Sequence, residues 1–179
     1  MELIAPVRGG TPRVLHAVQF ALRAHHEQYR KYTHEPYVTH VLNVAAGVAL
    51  HTDDADIIAA ALLHDVLEDT ATTSEDLLLV FGPRVTRLVL ELTDVYTTKA
   101  YPELNRGERK RREAERLAGI TADAQLIKAF DMMDNLRGTR EHDPGFHRVY
   151  LAEKQAIIRG LRDLPTPVRL ELFEYAELT

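Results

Sequence analysis

Apolar residues recur at spacings of three and four along almost the whole chain, the repeat expected of helices with one buried face. In residues 11–28, Val14, Ala17, Val18, Ala21 and Leu22 form such a stripe. A basic and aromatic stretch, residues 29–36, interrupts the pattern, and a second helix is predicted over residues 38–51. Thr52-Asp53-Asp54 offers N-cap side chains for a third helix over residues 55–68, which reads as apolar on nearly every side as far as Leu67. Thr72-Thr73-Ser74-Glu75 caps a short helix ending near Phe81-Gly82, and Pro83 suits the first turn of the next, where Val85, Leu88, Val89 and Leu92 line up. Residues 96–116 turn polar and leave the helical pattern, with a mixed charge run at residues 107–113. Helical spacing returns over residues 121–137, with Leu126, Phe130 and Met133 on one face, until Asp143-Pro144-Gly145 breaks it. Two further helices are predicted over residues 149–161 and 165–178. There is no period-two run, internal repeat or low-complexity tract. The expected fold is all-α: a single domain over residues 1–179 built of about eight helices, with its core at residues 14–161.

One stretch breaks the apolar character of the third helix. His64-Asp65 and, three residues on, Glu68-Asp69 put an imidazole and three carboxylates into a run of alanine and leucine. Burying charge is costly unless it is paired or holds a metal, so a metal site is the first expectation. On a continuous helix His64 and Glu68 lie four apart, and Asp65 lies three from Glu68 and four from Asp69, so all four share a face. His40, in Glu-Pro-Tyr-Val-Thr-His, and Asp131, in a segment that also carries Lys128 and Asn135 on one face, are candidates to complete the set. His40, His64, Asp65 and Asp131 would offer two imidazoles and two carboxylates. That mix suits Mn²⁺, Fe²⁺ or Zn²⁺ and leaves positions for water and substrate.

Composition narrows the rest. The chain has 179 residues and no Cys, which excludes disulfides, thiolate ligands and a Cys nucleophile. A net charge of −5 argues against duplex nucleic acid as a partner but leaves room for a small phosphorylated ligand. No run approaches the ~18 apolar residues of a membrane span. The first ten residues lack the pattern of a signal peptide, so a cytoplasmic location is expected. Of the nine His, His25, His26, His34, His51, His142 and His147 are assigned no functional role.

The ordered set His40, His64-Asp65 and Asp131 resembles the metal ligands of the HD-domain phosphohydrolases. The resemblance sharpens with the surrounding motifs. Arg30 and Lys31 precede Pro-Tyr-x-x-His; Ala-Ala-Leu-Leu-His-Asp-x-x-Glu-Asp-Thr follows, then Phe-Gly-x-x-Val, Leu-Thr-Asp and Lys-x-x-Asp-x-x-x-Asn-Leu-Arg. Together they are similar to the hydrolase domain of RelA/SpoT-type (p)ppGpp enzymes, and in length the chain resembles the stand-alone small alarmone hydrolases of the Mesh1 kind. The likeness spans residues 14–161. It implies one Mn²⁺ held by His40, His64, Asp65 and Asp131, with Glu68 and Asp69 positioning and deprotonating the attacking water. It implies that Arg30 and Lys31 pack against a guanine base and that Asn135 contacts the nucleotide. The implied reaction is hydrolysis of guanosine 3′,5′-bis(diphosphate) to GDP, or of its pentaphosphate to GTP, with pyrophosphate released by a metal-activated water. Lys99, Arg106, Arg109, Lys110 and Arg112 are candidates to meet the diphosphates; oligomeric state does not follow from the residues. Val41, Met132, Asp134 and Gly138 differ from the family's usual residues. They motivate the alternatives of another phosphorylated nucleotide, such as the 2′-phosphate of NADPH or a nucleoside 3′-phosphate, and of a degenerate nucleotide-binding HD module.

Overall fold

The computed structural model describes residues 10–178, so residues 1–9, read above against a signal peptide, lie outside it, as does Thr179. Among the described residues there are nine helices: α1 (Gly10–Ala24), α2 (Val38–Ala49), α3 (Ala55–Leu63), α4 (Val66–Asp69), α5 (Ser74–Leu92), α6 (Arg106–Leu117), α7 (Ala122–His142), α8 (Pro144–Gly160) and α9 (Thr166–Tyr175). The only strand-like pairing described is an isolated antiparallel bridge between Tyr29 and Pro36. The all-α class is as expected, and no described helix is long and apolar enough to cross a membrane. The chain divides into two compact units between Thr93 and Asp94.

In the first unit α3 packs against α1, α2 and α5. Ala59, Ala60 and Ala61 are wholly buried on it, and Leu62 and Leu63 nearly so. Side chains this small let neighbouring backbones come close. Asp54 caps α3 by accepting from the Asp56 amide at 2.9 Å, as its place in the sequence predicts. The Asp54 carboxylate in turn takes Arg84 Nη1 at 2.6 Å, and that guanidinium, together with hydrogen bonds from the α3 backbone, holds the carboxyl below its ordinary range against the opposing effect of burial. Thr73 opens α5 with a reciprocal pair of bonds to Asp76. The two helices predicted around Phe81-Gly82 meet there within α5, divided by Gly82, which sits at φ 80°, ψ 177°, outside the helical region. That pair of angles is open essentially to glycine alone.

The third helix departs from expectation. It stops at Leu63, and Val66–Asp69 form a separate single turn. The reason is local. His64 Nδ1 lies 2.8 Å from the Ala61 carbonyl, the acceptor that the Asp65 amide would use if the helix ran on. A side chain competing for a backbone acceptor in this way opens the ladder.

In the second unit α7 packs against α8 and α9, and α6 against α8. A Cβ at Gly160 would lie 3.0 Å from Ala118 Cβ, so a glycine lets α8 come up against the end of α6. α6 is itself a correction: the polar run expected to lie outside the helical pattern is a helix. Asn105 caps it by accepting from the Glu108 amide at 3.0 Å. Arg111 and Arg112 both reach Glu108, at 2.8 and 3.0 Å, and Arg111 also pairs with Glu115, contacts that support a helix with little apolar surface. Buried Glu113 accepts from the Val95 and Tyr96 amides at 3.1 and 2.9 Å, tying the preceding loop to this helix. Replacing Gly82 with Ala, whose Cβ would meet no atom within 4 Å, tests the backbone alone: a loss of about 1–3 kcal/mol of stability is expected, read from the urea midpoint at unchanged slope.

Candidate active site

The site in the first unit is built on the break after α3. His40, on the first turns of α2, is fully buried, and His64, at the end of α3, nearly so. Their rings stand 5.2 Å apart at 65°, and both Nε2 atoms face one oxygen. Asp65 Oδ2 lies 3.1 Å from His64 Nε2 and 3.5 Å from His40 Nε2. One ligand atom from each of the three residues lies within 4.8 Å of the others, a grouping able to hold a metal ion.

The donor chemistry fits a cation. A carbonyl only accepts, so the bond to Ala61 makes His64 Nδ1 an N–H and leaves Nε2 as the ring nitrogen turned to Asp65. In the neutral form of the ring, Nε2 turns a lone pair toward a carboxylate oxygen that also carries lone pairs. A positive charge among these atoms removes the repulsion, and a backbone carbonyl on the far nitrogen is the usual way to orient an imidazole ligand. Tyr37 adds a further constraint. Its hydroxyl donates to Asp65 Oδ2 at 2.6 Å, and its ring packs edge-on to His40 at 5.4 Å.

Glu68 and Asp69 occupy the next turn, and both are exposed. The amides of Glu68 and Asp69 bond to the Asp65 carbonyl at 3.2 and 3.0 Å, which ties this turn to the ligand before it. The Asp69 carboxylate accepts from Gln28 Nε2 at 2.9 Å. Arg30 and Lys31 lie in the loop closed by the Tyr29–Pro36 bridge, where the Arg30 amide bonds to the Glu35 carbonyl at 2.8 Å. The Lys31 ammonium sits 4.8 Å over the Tyr32 ring.

Asp131 and Asn135 belong to the second unit, on α7. Asp131 is buried and held at both oxygens. Lys128 Nζ meets Oδ2 at 2.9 Å, and Asn135 Nδ2 donates to Oδ1 at 2.7 Å. An amide has a second N–H and an acceptor, so this bond does not exhaust Asn135. Burial and the neighbouring Lys128 ammonium push Lys154, on α8, below its ordinary pKa. Of the candidate diphosphate cations, Arg106 is committed to Glu153 by two bonds at 2.8 and 2.9 Å, Arg112 to Glu108, and Arg109 to the Leu104 carbonyl. Lys99 and Lys110 make no ion pair among the described residues.

Sequence reasoning missed Gln28, Tyr37 and His25, the residues packed behind the carboxylates. Tyr37 lay inside the quoted Pro-Tyr-x-x-His motif, where its spacing of three from His40 was the available signal. Nothing in the sequence alone marked His25 or Gln28.

Comparison with known proteins agrees with the resemblance. The HD domain family model matches residues 17–161. The guanosine-3′,5′-bis(diphosphate) 3′-pyrophosphohydrolase MESH1 of Drosophila melanogaster is 39% identical over 135 residues, covering 74% of this chain and 72% of that protein. Its Homo sapiens counterpart is 37% identical over 158 residues, covering 84% and 85%. A solved structure, described as a metazoan ortholog of SpoT that hydrolyses ppGpp, superposes with a TM-score of 0.82 at 32% identity, over 96% of this chain and 97% of that one.

The Tyr37 contact yields a prediction. Tyr37→Phe removes one hydroxyl and keeps the ring, so affinity for added divalent ion is expected to fall about 10-fold with the fold intact, as measured by calorimetric titration and circular dichroism.

Proposed function

The chain belongs to the HD-domain family and, within it, to the MESH1 group, and from that premise we propose that it is a Mn²⁺-dependent hydrolase of guanosine 3′,5′-bis(diphosphate) and its 5′-triphosphate analogue. The reaction consumes one water, breaks the bond between O3′ and phosphorus, and releases pyrophosphate with GDP or GTP. The single observation carrying the reading is the convergence of His40 and His64 Nε2 on Asp65 Oδ2, within a chain whose relatives are named for this hydrolysis.

The proposed ligands are His40, His64 and Asp65, with Asp131 as the fourth. Mn²⁺ bound by them would supply Lewis acidity toward water and toward phosphoryl oxygens. The chain's own groups do the rest. His40 and His64, both buried, would each offer an imidazole nitrogen, which ligates a cation in its neutral form. Asp65 offsets part of the cation's charge and is aimed by Tyr37. Glu68 and Asp69, exposed on the turn that Asp65 begins, are proposed to orient the water and take its proton. Arg30 and Lys31 are proposed to bind the guanine nucleotide; the planar guanidinium of Arg30 suits stacking on a base. Asn135 is proposed to contact the nucleotide with the part of its amide not engaged by Asp131. Negative charge spreads over the phosphoryl oxygens as the bond breaks, so cations near them lower the barrier.

The deciding experiment incubates the protein and Mn²⁺ with a panel of ppGpp, pppGpp, NADPH and nucleoside 3′-phosphates, resolved by chromatography. Pyrophosphate and GDP from ppGpp are expected. Turnover confined to NADPH or a 3′-monophosphate would replace the substrate assignment, and no turnover with no bound metal would leave a nucleotide-binding module. Asp65→Ala should abolish metal binding and turnover while leaving the helical spectrum unchanged. Asp69→Asn should lower kcat by about 100- to 10,000-fold without loss of metal.

A further inference from the structure

The Asp69 carboxylate is exposed, yet one of its oxygens is held by a directed series of hydrogen bonds that begins in the core. Gln28 Nε2 donates to Asp69 Oδ2 at 2.9 Å. A carboxylate only accepts, so the NH₂ of Gln28 must face Asp69 and its Oε1 must face the other way. On that side Oε1 meets His25 Nδ1 at 2.6 Å. An amide oxygen also only accepts, so Nδ1 is the N–H of His25. The direction of every bond in the series is therefore fixed: His25 to Gln28, Gln28 to Asp69.

The anchor is firm. His25 is 2% exposed. Its amide bonds to the Ala21 carbonyl at 2.9 Å, and its ring rests against Tyr37 at 5.0 Å. Tyr37 is the residue that donates to Asp65. Gln28 is held along its backbone as well: its amide reaches the His25 carbonyl at 3.0 Å, and its carbonyl accepts from the Tyr37 amide at 2.8 Å. The same buried imidazole thus stands behind both acids, Asp65 through the packing of Tyr37 and Asp69 through the amide of Gln28.

We propose that Gln28, oriented by His25, is a positioning residue for Asp69: by holding Oδ2 it fixes the orientation of the carboxylate that takes the proton of the attacking water. This rests on the hydrolase reading above. An exposed aspartate on a single helical turn otherwise samples several rotamers, and a proton acceptor turned away from its water contributes little.

Gln28→Met keeps the length of the side chain and removes both of its polar groups. With Mn²⁺ and ppGpp, kcat is expected to fall about 10- to 100-fold, with KM within about twofold and Mn²⁺ affinity unchanged, because only the acceptor is disturbed. In the Asp69→Asn background, the same substitution is expected to cost nothing further. A loss of equal size in both backgrounds would mean that Gln28 merely supports the loop, and would overturn the proposal. So would wild-type kcat in Gln28→Met. A measurement on the folded wild-type chain needs no turnover. The side-chain amide resonances of Gln28 in ¹⁵N-labelled protein should shift on Asp69→Asn and again on His25→Phe, and resonances unmoved by Asp69→Asn would overturn the proposal. If the wild-type protein releases no pyrophosphate, the substrate reading fails, and these resonances alone decide whether Gln28 holds Asp69.

Discussion

Asp65 Oδ2 is met by three polar atoms at once: the Tyr37 hydroxyl at 2.6 Å, His64 Nε2 at 3.1 Å and His40 Nε2 at 3.5 Å. Gathering them dictates much of the first unit. Residues 37 and 40 begin α2, and residues 64 and 65 follow α3, so the start of one helix must lie beside the end of the other. α3 ends where His64 turns its far nitrogen to the Ala61 carbonyl and presents the near one to Asp65. A polar cluster inside an apolar unit is tolerated only when each of its groups has a defined role. Here the imidazole, phenol and carboxylate fix one another's direction before any ion is considered.

The second unit meets a similar demand more simply. Asp131 is buried and carries its partners on its own helix, Lys128 one turn before it and Asn135 one turn after. Spacings of three and four put all three on one face, so a single helix supplies a carboxylate with both oxygens engaged. The charged helix α6 is built on the same local logic. Its internal ion pairs lie three and four residues apart, and its few buried side chains, Glu113, Ala114 and Leu117, dock it together with the Arg106–Glu153 pair to α8.

Much of this was legible in the sequence. The caps at Asp54 and Thr73, the kink at Gly82 and the buried character of residues 57–63 follow from residue type and position, because caps and left-handed glycines are local properties. The gathering of His40, His64 and Asp65 was legible through motif and order. The break between α3 and α4 was not, because it arises from a side chain taking a backbone acceptor, which periodicity does not register. α6 was missed because an apolar stripe is only one way to stabilise a helix, and ion pairs with one buried carboxylate are another. His25 and Gln28 were invisible for a different reason: their meaning lies in the direction of hydrogen bonds that run from His25 to Gln28 and from Gln28 to Asp69, which is 41 positions away in the chain.

The three alanines of α3 carry a consequence of their own. With Ala59, Ala60 and Ala61 fully buried and α3 packed against α1, α2 and α5, the helix that leads to His64 has little slack on its buried face. Fraying of such a helix is costly: pulling it away from its neighbours would open voids, and closely packed interiors resist that. The imidazole at its end inherits this stiffness. Local breathing, which ordinarily loosens ligands carried on loops, is opposed here by the packing of the helix behind it.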